Sequence, residues 1–388
     1  MHIPKLRVAL AEMRASRLSD QNWRGLLFPT RPMPLSEISC RLGWKSIVGY
    51  ARRSARYKGR HRFADWVLAI RGVRLNRWVT PRPILISDQG PVGIRVGPKA
   101  DRPIRIAITN VLTELSAWSS AASGTPMLTR ERFTRLTRLI NTVLQHEPLP
   151  DILVLPELSL PRSLERSFVE RLGRSGIALV AGLEYGPAPG KRGGLLNQAV
   201  ITIDLGSGYG QLQLRQTKNA AAWEEAAQLA AEHDAHVVGP EGGTPDIPIY
   251  RSRGLYFGLL ICSDLTNPRY RSHFQGLIDA LFVLEWNPDI ASFNSLIEAS
   301  ALDVHAYIVQ TNNREYGDGR IRGPMKQSYK RDVIQLKGGI HDYFVVGEID
   351  PINLRSFQSA NVPDLDDKAV FKPFPIKFKI APWRKVRP

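Results

Sequence analysis

The chain contains the stretch Asp151-Ile152-Leu153-Val154-Leu155-Pro156-Glu157-Leu158. A compact run of Ile, Leu and Val that stops at Pro-Glu is typical of a buried strand with a polar end. A second run, Tyr256-Phe257-Gly258-Leu259-Leu260-Ile261-Cys262, ends in a cysteine. Helical periodicity separates such runs, for example over Arg130–His146. This alternation predicts an α/β or layered α+β domain.

Three polar residues, Glu157, Lys218 and Cys262, stand at or just beyond the ends of predicted strands. Side chains at such positions leave the core and line a cleft. A cysteine attacks as the thiolate, so it needs a base or a cation nearby, and a carboxylate and an ammonium group supply both. We therefore expect Glu157 to act as general base, Lys218 to stabilise the oxyanion, and Cys262 to form a thioester acyl-enzyme.

Each of these residues also has a structural interpretation. Cys262 follows an apolar run and could be an inert buried thiol, because free cysteines are often buried. Glu157 could cap a following helix, and Lys218 could be a solvated loop residue. The alternative to an enzyme is a non-catalytic assembly or binding module built on the same domain.

The chain resembles the nitrilase superfamily of carbon–nitrogen hydrolases in ordered motifs over about residues 103–350. The motifs are Asp151 to Leu158, Gln216-Thr217-Lys218-Asn219, Gly258 to Leu265, Trp286-Asn287-Pro288, and Tyr307-Ile308-Val309-Gln310-Thr311-Asn312. The resemblance implies a nitrilase-like α-β-β-α sandwich, hydrolysis of a small amide or nitrile, no metal, and a homo-oligomer. Within it, Ser263 replaces an aromatic residue, and Ser300 stands where the family commonly has arginine.

The resemblance also implies an additional acidic residue, for which Glu225 is preferred over its neighbour Glu224. Both could equally be surface residues of the Ala-rich helix predicted around Ala220–Ala231. The residues that we expect to bind substrate are Glu224, Ser263, Asp264, Trp286 and Asn287.

A basic amino-terminal segment, residues 1–100, precedes the predicted hydrolase domain at 103–358 and a basic tail at 359–388. The segment holds 20 Lys and Arg against 5 Asp and Glu, within a whole-chain net charge of +17. Its densest part contains Arg52, Arg53, Arg56, Lys58 and Arg60 among aromatic residues. Such a surface favours nucleic acid. An acidic partner domain, or no specific partner, are the alternatives.

A looser resemblance links residues 337–358 to nitrilase-like domains of bacterial reverse transcriptases of antiphage defence. The chain has no Tyr/Phe-x-Asp-Asp run, so the resemblance implies a relative or partner of such a polymerase. We expect no organic cofactor, because no phosphate-binding Gly-rich loop occurs. The two cysteines, Cys40 and Cys262, lack clustered metal ligands and suit a reduced, cytoplasmic compartment. The longest apolar run is too short to span a membrane.

Overall fold

A computed structural model describes residues 33–48, 62–71, 74–76, 79–86, 90–97, 102–206, 210–240, 243, 245–360, 366 and 369–386. The chain divides into two compact units, Met1–Met33 and Pro34–Pro388, and all elements given below belong to the second. Residues 50–61 lie outside the described ranges. The nucleic-acid contact expected for Arg52, Arg53, Arg56, Lys58 and Arg60 therefore stays a prediction.

The described strands, in chain order, are β1 (Arg82–Ile86), β2 (Gly90–Arg95), β3 (Ile104–Asn110), β4 (Ile152–Leu160), β5 (Ala178–Pro187), β6 (Gly194–Asp204), β7 (Gln211–Thr217), β8 (His236–Val237), β9 (Ile249–Ser252), β10 (Leu255–Ile261), β11 (Ala280–Leu284), β12 (Tyr307–Thr311), β13 (Arg320–Arg322), β14 (Asp332–Gln335) and β15 (Tyr343–Ile349). The described α-helices are α1 (Leu35–Ile47), α2 (Arg62–Arg71), α3 (Leu115–Ala122), α4 (Arg130–Gln145), α5 (Arg162–Arg174), α6 (Trp223–His233), α7 (Pro268–His273), α8 (Ile290–Ser300) and α9 (Pro351–Ser359).

The strands form two layered sheets. The first has the order β1-β2-β9-β10-β11-β12-β13-β14, and the second has the order β15-β3-β4-β5-β6-β7, with β8 also paired to β6. The central pairs β10–β11, β11–β12, β3–β4 and β4–β5 are parallel. Every residue of β4, β10, β11 and β12 is buried. Strands covered on both faces in this way lie at the centre of a layered α/β fold.

Helices cover the outer face of the second sheet. The helix α4 presents Leu136, Ile140 and Val143, and α5 presents Phe168 and Leu172, to one buried cluster with the strands. Their recurrence at intervals of three and four residues explains why these segments are amphipathic helices. On the opposite side, α8 and α9 lie against the first sheet. The predicted fold class, a layered α/β domain with an α-β-β-α sandwich, is confirmed.

Part of the basic amino-terminal segment belongs to the sandwich. The strand β2 pairs in parallel with β9, and with β1 it extends the first sheet. The helix α1 lies along β7, where the hydroxyl of Ser39 accepts a hydrogen bond from the backbone N–H of Gln213 at 2.8 Å. The strand β7 lies at the edge of its sheet, and an edge strand has backbone groups without a strand partner. Ser39 of α1 satisfies one of these groups. The boundary at residue 100 stays a prediction, but the described residues on its two sides share one sheet.

The carboxyl-terminal residues return to the core through an ionic cluster. Asp279, fully buried, accepts hydrogen bonds from Arg355 Nε at 2.8 Å and from Arg384 Nε at 2.9 Å. Arg384 also donates to the carbonyl of Gly276 and to the side chain of Gln358. Two guanidinium groups hold the pKa of the Asp279 carboxyl below its usual value, although burial opposes this. The end of the predicted tail is therefore bound to the first sheet.

Among the described helices, none is both long enough and apolar enough to cross a membrane.

Substitution Arg384→Met should destabilise the fold by about 2–3 kcal/mol, because it removes hydrogen bonds to a buried carboxylate. The quantity to measure is the free energy of unfolding in urea at pH 7. The control is Lys379→Met, which changes an exposed side chain in the same tail and should alter stability by less than about 0.5 kcal/mol. Equal effects of the two substitutions would contradict a structural role for Arg384.

Candidate active site

The strand β4 carries Glu157 between the two sheets. The sequence predicted that this strand ends near Leu155, whereas it continues to Leu160 with a change of register against β5 between these two residues. Leu158 adopts a positive φ of 55° at this irregularity. The strand β5 passes so close that a Cβ on Gly182 would lie 2.4 Å from the Cα of Glu157. A glycine there permits the close approach that places Glu157 inside the sandwich.

Lys218 follows β7 directly and is buried together with Glu157. Its Nζ donates to Glu157 Oε1 at 2.9 Å and to Glu225 Oε2 at 2.6 Å. The side chains of Glu157 and Lys218 are 3% and 2% exposed. Burial alone would favour a neutral amine, but the two carboxylates raise the pKa of Lys218 well above its ordinary value. Lys218 is therefore a permanent cation enclosed by carboxylates.

Glu225 enters this site from the first turn of α6. Its Oε2 also accepts from the backbone N–H of Ala222 at 3.2 Å, as a glutamate in the third position of a helix commonly does. Its Oε1 accepts from the Tyr185 hydroxyl at 2.6 Å. Burial opposes the charge of Glu225, but Lys218 and these donors hold its pKa below the usual value.

Two further residues of the site, Asn197 and Tyr185, were not predicted from the sequence. Asn197 Nδ2 donates to both carboxylates, at 2.8 Å to Glu157 and 3.1 Å to Glu225. The Tyr185 hydroxyl accepts from Trp118 Nε1 at 3.3 Å. An asparagine and a tyrosine in strands carry no sequence signal for this role, because their function depends on which residues lie opposite them.

Cys262 lies where β10 ends and a short 3₁₀ helix, Cys262–Thr266, begins. Its φ of 47° lies in the left-handed region, which is strained for a residue other than glycine and is often found at functional sites. The side chain is buried, and burial is the main cause that raises the pKa of its thiol, followed by the charge of Glu157. Lys218 opposes these effects. In this state the thiol is neutral, so attack requires proton transfer to a base.

The residues expected to bind substrate occupy different places. The Trp286 backbone N–H donates to Glu157 Oε2 at 3.1 Å. Asp264 accepts from the Asn219 backbone N–H at 3.2 Å, and burial raises its pKa to about 6. It thus joins the segment after Cys262 to the one after Lys218.

The other three residues expected to bind substrate are Asn287, Ser263 and Glu224. Asn287 is buried, and its N–H donates to Asn312 Oδ1 at 3.0 Å. Ser263 is half-buried, and its hydroxyl donates to the Ala220 carbonyl at 3.3 Å. Glu224 is exposed on α6, outside the network that contains Glu225. Ser263 and Trp286 are both half-buried.

Aromatic and apolar side chains form one wall of the site. Trp118 lies edge-on to Tyr185 and to Trp286, with ring centroids 6.2 Å apart in each pair. Leu158 and Leu195 belong to the same buried cluster. A low-dielectric wall of this kind strengthens the interactions of Lys218 with its carboxylates. A separate groove of about 1060 Å³, between α4 and β15, contains none of the candidate residues.

In the described part of the chain, no group of three or more His, Cys, Asp or Glu side chains is arranged to hold a metal ion.

No family model and no curated protein matches the chain. Solved structures align with it. One is XC1258 from Xanthomonas campestris, a CN-hydrolase superfamily protein, with 12% identity and a TM-score of 0.46 over 65% of this chain and 92% of that one. Another is a double mutant of an amidase from Nesterenkonia in complex with acrylamide, with 17% identity and a TM-score of 0.46 over 66% and 94%. At these identities the likeness concerns the fold alone.

Substitution Tyr185→Phe should lower the free energy of unfolding by about 1.5–3 kcal/mol at pH 7, because it removes a hydrogen bond to a charged group. The bond lowers the pKa of Glu225 in the folded state. Its contribution is therefore complete above the unfolded pKa of about 4.3 and is lost as the pH falls through the folded pKa. Urea unfolding between pH 3 and 7 measures this change.

The matched control is Tyr307→Phe. Tyr307 is also buried, and its hydroxyl is bonded to the backbone of Asp350 rather than to a carboxylate. Its loss should destabilise the fold equally across this pH range. A pH-independent loss in Tyr185→Phe would contradict an ionised Glu225.

Proposed function

We propose that the chain is a carbon–nitrogen hydrolase that cleaves a small amide or nitrile through a thioester on Cys262. The observation that carries this proposal is the buried contact of Glu157 and Lys218, at 2.9 Å, beside Cys262. The backbone of Cys262 is strained, and the charges of both residues shift the pKa of its thiol. A structural ion pair has no need of a neighbouring thiol. A cysteine nucleophile needs a base or a cation nearby, and Glu157 and Lys218 supply both.

In the first half of the reaction, Glu157 takes the proton of the Cys262 thiol as the sulfur attacks the substrate carbon. For an amide, the carbonyl π-electrons move to oxygen, and the resulting negative charge is stabilised by the Lys218 ammonium group. Glu157 then passes its proton to the nitrogen. The C–N bond breaks, ammonia or an amine leaves, and the acyl group remains on sulfur as a thioester.

In the second half, Glu157 takes a proton from water, and the hydroxide formed attacks the thioester carbon. The carbon–sulfur bond breaks, the acid is released, and Cys262 recovers a proton. A nitrile follows the same route after addition of sulfur to the C≡N carbon and of water to the thioimidate. Burial raises the pKa of Glu157, and Glu225 adds to this effect, so the Glu157 carboxylate is a stronger base than an exposed glutamate.

Glu225, Asn197 and Tyr185 hold this machinery in place. Lys218 is fixed between two carboxylates, and Asn197 binds both of them. The Trp286 backbone N–H donates a hydrogen bond to the second carboxylate oxygen of Glu157. Each oxygen of Glu157 is thus oriented before substrate arrives, and such preorganisation is a large part of enzymatic rate enhancement.

Substitution Glu157→Gln should separate hydrolysis from thiol reactivity. Loss of the general base should lower kcat by roughly 10²- to 10⁴-fold. The charge of Glu157 raises the pKa of the Cys262 thiol, so its removal should lower that pKa and make alkylation by iodoacetamide at pH 8 faster. Ammonia release from acrylamide and other short amides and nitriles measures the first effect, and mass spectrometry of the Cys262 peptide measures the second.

Two controls accompany this experiment. Glu165→Gln changes another buried glutamate, which lies on the outer helix α5 and pairs with Arg215 of β7, and should leave kcat within about threefold of wild type because its ion pair is with Arg215 and not with Lys218. Cys262→Ser provides the background rate. Hydrolysis by wild type that does not exceed this background across the substrate set would contradict the proposed function.

A further inference from the structure

Glu285 is a third buried carboxyl group at the site. It follows β11 directly, as Cys262 follows β10, and the preceding residues Leu284 and Ile261 are paired in parallel. The next residue, Trp286, donates its N–H to Glu157. Glu285 is 0% exposed. It therefore lies beside the nucleophile and next to the residue that orients the base.

The hydrogen bonds of Glu285 are too few for a charged carboxylate. Its Oε2 accepts from Gln310 Nε2 at 2.9 Å, and its Oε1 is buried without a partner among the described residues. The Gln310 Oε1 is likewise buried and unpartnered within this part of the chain. Turning the Gln310 amide by 180° would let this oxygen accept a hydrogen bond from a protonated Glu285. A neutral carboxyl group therefore fits these contacts, whereas an isolated buried charge is costly.

The charges that face Glu285 also favour its neutral, protonated form. Glu157 faces it from β4 and raises its pKa, and Asp318 adds to this effect. Arg320, on β13, lowers its pKa, but that guanidinium group is bonded to Asp318 and Asn294 at 2.8 Å each. Burial is the largest cause and raises the pKa of Glu285 to about 8.

Lys218 cannot neutralise Glu285 as well, because it already contacts two carboxylates. With Glu157 and Glu225 charged, Lys218 already lies in contact with two negative charges. A further negative charge there would be opposed by Coulomb repulsion in a low dielectric.

We propose that Glu285 is a positioning residue that stays protonated in the resting site and so keeps the exchangeable negative charge on Glu157, beside Cys262. Loss of the Glu285 proton adds a negative charge next to the thiol, whose pKa then rises. Attack by Cys262 becomes less favourable as a result. The proposal rests on the proposed function only in treating Cys262 as the reacting group.

The test compares iodoacetamide alkylation of Cys262 in the full-length wild type and in Glu285→Gln, from pH 6 to pH 10. Gln reproduces the neutral carboxyl group and cannot ionise. The two proteins should react at the same rate at pH 6 and 7. Above pH 8 the variant should react faster, by about 5- to 10-fold at pH 10, as a thiol pKa lower by about one unit would give.

Two further variants make the result specific. Glu348→Gln changes an exposed glutamate on β15 and should follow the wild-type profile throughout. Gln310→Met removes a hydrogen bond that lowers the pKa of Glu285. Glu285 should therefore ionise at a higher pH in this variant, and the loss of Cys262 alkylation rate caused by that ionisation should begin at a higher pH than in wild type. This second variant tests the proposal even where Glu285→Gln does not fold.

A constant ratio between Glu285→Gln and wild type at every pH would mean a purely structural role and would overturn the proposal. Identical profiles at every pH would overturn it as well, because Glu285 would then exert no charge on the thiol. Alkylation requires no turnover. A chain that alkylates as expected but hydrolyses no amide or nitrile would therefore contradict the proposed function and leave the role of Glu285 supported.

Discussion

The buried ammonium group of Lys218 must be neutralised inside the sandwich. Moving this charge out of water costs several kcal/mol, and only close opposite charges with good geometry offset that cost. Glu157 and Glu225 meet the requirement from two different elements, one strand and one helix. The strands β4 and β7 of the second sheet and the helix α6 must therefore adopt one relative arrangement for the charge to be satisfied.

That arrangement also sets the properties of the thiol. Cys262 lies beside a carboxylate that disfavours its ionisation and an ammonium group that favours it, within an apolar surrounding that disfavours it further. The resting thiol is neutral, and in the proposed reaction its proton moves to Glu157 as the sulfur attacks. Cys262 has a positive φ of 47° at the end of β10, and strained backbone of this kind is often found at functional sites.

Polar networks elsewhere in the protein also neutralise a buried charge, but no catalytic role is proposed for them. Asp279 is as deeply buried as Glu157, but two arginines donate hydrogen bonds to it. Its role is to bind α9 and the carboxyl-terminal residues to the first sheet. The contrast shows that burial and charge alone do not make a site. What distinguishes Glu157 is a carboxylate with an incomplete charge balance next to a reactive atom.

Most of the central strands and the three residues Glu157, Lys218 and Cys262 could be predicted from the sequence. Apolar runs with polar ends are visible in the local composition. The order of the motifs can also be read directly from the sequence. Helix α4 was predicted over Arg130–His146 and is observed over Arg130–Gln145 for the same reason. The short strands β8, β9, β13 and β14 lacked such a pattern, and their pairing with longer neighbours defines them.

Only the tertiary structure decided which side chains complete the site. Asn197, Tyr185 and Glu285 stand 40, 28 and 128 positions from Glu157 in the printed sequence, and nothing local marks them as its neighbours. Their roles depend on strand register and on burial, because a hydrogen bond or a charge acts over a few ångströms in space and not along the chain. The sequence alone determined which chemical groups were present, whereas their protonation and orientation depend on the fold that excludes water from them.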